Sequence, residues 1–176
     1  MRIPQKNPKR KGVSTVELSV VSILLFMTLF GIFEYCRLLY VTHVANNAAR
    51  DTVRYAVVHT GGGEMPGDPA TITTNNLINL VYTGQIGSET IGSGLAGMDK
   101  NIQNCSVAIF AVDPVGLSQN PPIIQPSPAG DWTTASFGQM IAVQITGSYI
   151  PMLPSLFFMN SAVPFQVTVI MSSEAN

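Results

Sequence analysis

From Val13 to Phe33 the chain is almost continuously apolar, interrupted by one carboxylate, Glu17, and a few hydroxyls. At ~1.5 Å per residue a helix of that length crosses a bilayer core of roughly 30 Å. The pattern then changes without a break. Leu38, Val41, Ala45, Ala48, Thr52 and Tyr55 recur at alternating steps of three and four, with Arg37, Asn46, Asn47, Arg50 and Arg54 mostly off that seam. The spacing predicts one helix from about residue 13 to 59, its first part (13–33) apolar all round and its second (34–59) amphipathic. Ala45, Ala48 and Ala49 leave room for a close neighbour along the seam, and the chain's own sheet is the expected one. Glu34 with Arg37, and Asp51 with Arg54, are spaced to pair one turn apart.

After His59 the periodicity is shorter and mixed. Gly61 to Gly63 stop the helix, and Glu64 to Pro69 read as a loop. Thr71 to Val81 suggest a short second helix, and residues 84–98, rich in Gly and Ser, an irregular connection. Strict alternation predicts strands over Cys105–Val112, Met140–Tyr149 and Val163–Met171, the middle one with Ile141, Val143, Ile145 and Gly147 on its buried face. Asp113 to Thr134, with five prolines, is expected as an exposed extended loop that Trp132 plugs onto the domain. Pro151 to Met159 form an apolar connection expected to pack under the sheet. The fold class is therefore α+β, a long N-terminal helix packed against a small antiparallel sheet of about three strands.

Charge gives this arrangement a direction. Residues 1–12 hold five basic groups (Arg2, Lys6, Lys9, Arg10, Lys11) and no acid, leaving four Lys and Arg against ten carboxylates in the remainder, a sum of -6. The basic flank stays in the cytoplasm and residues 60–176 form the exoplasmic domain, so the chain is a single-pass protein of the inner or cytoplasmic membrane. An acidic outer part argues against nucleic acid as a partner. Charged residues at 11% and a positive mean hydropathy fit an anchored chain better than a soluble enzyme.

Chemistry is sparse. His43 and His59 have no ligand spacing to each other or to a carboxylate, and no acid pair or phosphate loop occurs, so no catalytic residue, metal or cofactor is expected. Gly92 to Gly97 satisfy a dinucleotide-binding pattern by letter but lack the strand before and the alternation after, and read as a turn. Cys36 and Cys105 are either a disulfide, which an exported chain permits, or two separate thiols. Glu17, five residues into the apolar run, costs on the order of 2 to 3 kcal/mol unless it stays near the surface or finds a partner. One partner would arise if the chain were cut after Gly12, which frees the amine of Val13 for the Glu17 of a neighbour.

Gly12 followed by Glu17 at the fifth position after it, behind a short basic leader, resembles the class III leader of type IV pilins and pseudopilins. Gly12-Val13-Ser14-Thr15-Val16-Glu17-Leu18, Gly31-Ile32-Phe33-Glu34-Tyr35-Cys36-Arg37-Leu38, Ala45-Asn46-Asn47-Ala48-Ala49-Arg50-Asp51 and Arg54-Tyr55-Ala56 more closely resemble the TadE-like family, pseudopilins of the tight-adherence (Flp-type) pilus machinery. Ser22 and Cys36 stand where members often carry a proline and a glycine, so the ring that would break the helix ladder is absent. The resemblance implies a pilin-like fold and a structural subunit, not an enzyme. It implies processing by a prepilin peptidase between Gly12 and Val13, register set by Glu17, and partners among other pilin subunits and an inner-membrane assembly platform. The other reading is an uncleaved single-pass anchor that presents an exoplasmic binding domain.

Overall fold

The computed structural model describes residues 10–60, 72–92, 94–95, 102–128, 130–152 and 161–174, with backbone alone for 10–13. The expectations for Gly61 to Pro69, for most of 151–159 and for the last glycine of the 92–97 pattern, Gly97, lie outside the described residues.

Helix α1 spans Arg10–Val58, 49 residues without interruption. No proline falls inside it, and the hydroxyls of the apolar half bond back to their own helix. Ser19 donates to the Val16 carbonyl at 2.7 Å, Ser22 to Leu18 at 2.7 Å and Thr28 to Leu25 at 2.9 Å. These three hydroxyls are thereby satisfied without a second element, the condition for keeping them in an apolar medium. The described helix already includes Arg10 and Lys11, so the step from Gly12 to Val13 is no structural boundary.

Helix α2 (Thr74–Thr83) follows, two to three residues later than its apolar pattern suggests, and ends at Gly84 with φ 74°. A Cβ at Gly84 would collide with the Gly92 carbonyl, and Gly94, also at positive φ, backs onto Gly84. This close approach explains the glycines of the expected irregular connection, which instead holds a two-residue hairpin, β1 (Gln85–Ile86) with β2 (Glu89–Thr90). Three strands, β3 (Ile102–Ala111), β4 (Met140–Tyr149) and β5 (Val163–Ser172), form one antiparallel sheet in the order β3-β4-β5. β3 begins earlier than its alternation suggests, because Asn104 at φ 52° and a register shift between Gln103 and Ser106 break the period of two.

The 113–134 segment is more structured than an extended loop. It contains α3 (Pro114–Leu117), capped by Asp113, a bridge from Val112 to Pro126 and a 3-10 turn (Trp132–Thr134). Trp132 is fully buried, its indole N–H donating to Thr74 Oγ1 at 3.0 Å. It plugs the segment onto α2 as the sequence suggests.

The core lies between α1 with α2 and one face of the sheet. Ile141, Val143, Ile145 and Tyr149 of β4, and Phe165 and Val167 of β5, meet Val41, Ala45, Ala48, Ala49, Val53, Ala56 and Val57 of α1. Alanines at these positions let the strands approach the helix closely, and Gly147 accommodates the ring of Phe165. On the opposite face Ala142 is buried, while Gln144, Thr146, Ser148 and Gln166 are half-buried or exposed.

Candidate functional site: the assembly helix and its junction with the domain

From Val16 to Phe33 nearly every large apolar side chain of α1 is exposed, Leu18 at 67% and Ile32 at 67% among them. None of the most apolar stretch is buried within the molecule. A core helix of a soluble protein would bury this surface. One helix is thus long and apolar enough to cross a membrane, and it presents that surface outward. Gly12 and Val13 occupy its first turns, and Glu17 lies exposed one turn later.

The first buried side chain along α1 is Glu34, the residue after the apolar run, at 6% exposure. Its Oε1 accepts from the Tyr149 hydroxyl at 2.5 Å and from the Met152 N–H at 3.1 Å, while Arg37 Nη1 stands 3.5 Å from Oε2. The Arg37 guanidinium lies 5.9 Å from the centre of the Tyr149 ring. Burial, and then the bond to Glu34, push the Tyr149 hydroxyl up to about 12. The carboxylate therefore ties the end of β4 to the point where α1 leaves its apolar half. A second tie closes the other end of the sheet, where the Thr60 and Ser173 hydroxyls meet at 2.8 Å. From Glu34 to its end at Val58 α1 rises about 36 Å, comparable with the roughly 31 Å spanned by the ten-residue β4 at ~3.4 Å per residue. β4 thus runs along the outer half of α1, with Tyr149 at the end nearer the apolar run.

The sequence singles out Glu34 only as a helical partner of Arg37. Its contacts with Tyr149 and Met152, more than a hundred residues away, have no local signature. A carboxylate set at the edge of an apolar run and on the docking side of the helix is the one available clue. Asp51 and Arg54 do not join it: among the described residues, the Glu34–Arg37 pair is the ion pair on α1. Cys36 is exposed on α1 and Cys105 is half-buried on β3, and neither takes part in a disulfide. α1 packs across β4 and β5, whereas β3 is the far strand of the sheet, so no bridge joins these cysteines. His43 is exposed, and His59 closes α1 by donating from Nδ1 to the Tyr55 carbonyl at 2.7 Å while stacking on Tyr55.

An exposed apolar helix that carries a glycine near its described start and a carboxylate five residues on, and becomes the spine of a small domain, has a counterpart among known families. Residues 12–54 match the TadE-like protein family. The matched TadE-like segment opens at Gly12, takes in Glu17, Glu34 and Arg37, and ends inside α1. It covers the helix and none of the sheet. No curated protein and no solved structure matches the chain.

Proposed function

We propose that the chain is a minor pilin or pseudopilin, a structural subunit of a tight-adherence pilus or secretion system. It is inserted with the basic leader inside, cut between Gly12 and Val13 by a prepilin peptidase, and assembled through α1 with other subunits on an inner-membrane platform. The observation that carries this reading is the TadE-like match over an α1 whose apolar half is unburied. In a bilayer Glu17 needs a compensating charge. The amine freed at Val13 lies four residues below it, a rise of ~6 Å, so a neighbour displaced by one helical turn brings its Glu17 level with that amine. Pairing of this kind offsets the cost of the buried charge and sets the axial step between subunits.

Mass measurement of the protein extracted from membranes tests the cut: the reading expects a chain beginning at Val13. An intact leader, or a cut beyond Phe33, would falsify it, the former favouring a single-pass anchor with an exoplasmic binding domain. Glu17→Gln is expected to insert normally but to be lost from complexes captured by cross-linking to other subunits.

A further inference from the structure

The Glu34 tie fixes more than the packing of the domain, because it also fixes how far the domain stands from the apolar run. Phe33 is the last residue of that run, and Glu34 follows it directly. The Met152 N–H bonds to Glu34 Oε1, so the turn that leaves β4 lies at the depth of the first residue outside the hydrocarbon. Interfacial layers add roughly 5 to 7 Å on each side of the bilayer core, so a group at that depth sits within the headgroups. Met152 is exposed at 68%, and Tyr35, beside Glu34 on α1, at 60%. Tyr40, exposed at 65%, stands a further ~8 Å up the helix from Tyr35, near the upper edge of that layer. Exposed tyrosines at this height match the aromatic belt of spanning helices, with apolar rings toward the chains and hydroxyls toward the headgroups. Glu34, just before Tyr35, and Arg37, between the two tyrosines, are turned into the protein and paired with each other, which lowers the electrostatic cost of bringing this end of the sheet onto lipid.

We propose that the Tyr149–Met152 end of the domain is a lipid-binding seat, with the Met152 side chain entering the outer-leaflet headgroup layer at the level of Tyr35. The domain does not stand off the bilayer on a free stalk of helix; it rests on the membrane before assembly, held there by the carboxylate of Glu34. Its opposite end, where Gly138 donates to the Ser173 carbonyl beside the Thr60 tie, lies some 36 Å farther out. Phe137 at that end is exposed at 71%, so exposure alone does not distinguish it from Met152. Position along α1 does. The inference rests on α1 crossing a membrane and is independent of processing or assembly.

The test uses the full chain with Cys36→Ser and Cys105→Ala, reconstituted in vesicles of phosphatidylethanolamine and phosphatidylglycerol and carrying one fluorescent label at a time on Met152→Cys, Phe137→Cys or Leu24→Cys. Trp132 emission checks that each variant is folded. Headgroup-linked nitroxide lipid is expected to quench the label at 152 about threefold more than that at 137, with iodide showing the reverse order. Deep acyl nitroxide is expected to quench the label at 24. Equal response of 152 and 137 to both quenchers overturns the seat, as does a label at 152 shielded from lipid and iodide alike, which indicates a protein neighbour. Absence of quenching at 24 overturns the membrane span and the seat together, while leaving the mass test of processing to be judged separately.

Discussion

Replacing Glu34 with Gln keeps the shape of the side chain and removes its charge. The buried carboxylate holds two close hydrogen bonds and one longer ion pair, at 2.5, 3.1 and 3.5 Å. A hydrogen bond to a charged group contributes about 1.5 to 3 kcal/mol, and a buried partner left unsatisfied costs about 1 to 3 kcal/mol. The amide oxygen can still accept from one donor, while its NH2 faces the donors of Arg37, so the expected loss is about 2 to 3 kcal/mol. Tyr149→Phe deletes one donor and leaves the ring against Arg37, with an expected loss of about 1.5 to 2.5 kcal/mol. Because the two groups share one bond, the double variant is expected to be little worse than Glu34→Gln alone, a coupling of about 1.5 kcal/mol or more. The assay is urea unfolding of the full chain in mild detergent. Trp132, the one tryptophan and fully buried in the domain, reports the transition. Losses that add to within about 0.5 kcal/mol would show that the tie between helix and sheet contributes nothing as a pair.

Alkali should act on the same bond. Tyr149 and Tyr82 are both raised from 10.0 to about 12, in each case chiefly by burial, with hydrogen bonding second. Both hydroxyls are protonated in folded and unfolded chain below pH 10, so their contribution is fully present there; it is lost as pH rises from about 10 to 12, and Tyr149→Phe removes one of the two components of that loss, read from the urea midpoint against pH. Thr74→Val takes the acceptor from the buried Trp132 indole and is expected to cost about 1 to 2 kcal/mol, with a shift in the native emission maximum. Ala49→Leu, at a fully buried position facing the sheet, is expected to destabilise by about 1 to 3 kcal/mol through overpacking; a neutral midpoint would mean that α1 and the sheet are looser than their contacts imply.

The strands show how far local pattern reaches. β4 runs from Met140 to Tyr149 as its alternation indicates, and β5 extends only one residue past Met171, because both strands have one face on the helices and one toward solvent. β3 is longer at its start, where Asn104 leaves the extended region and the register slips; a bulge inserts a residue and destroys the period that a pattern reading follows. Trp132 is legible as a plug because a large aromatic among prolines has few other ways to leave water. The order inside 113–134 is not, since the Val112–Pro126 bridge depends on a meeting of distant backbone. Glu34 is the instructive residue. Its helical neighbour Arg37 is visible at three residues' distance, whereas Tyr149 and Met152 arrive only when the sheet docks.

By itself the sequence determined the elements whose cause is local: the unbroken helix and its apolar and amphipathic halves; the direction expected from five cations before Gly12, and the parts proposed for Gly12 and Glu17, are left to the experiments above. Hydropathy and charge act on each residue independently of its partners, so a linear reading captures them. Tertiary structure decided which way the sheet lies along α1, which end of it faces the apolar run, and that Glu34 is buried as the tie between them. Those outcomes depend on contacts across more than a hundred residues, where no periodicity survives and shape and hydrogen-bond satisfaction choose the partner.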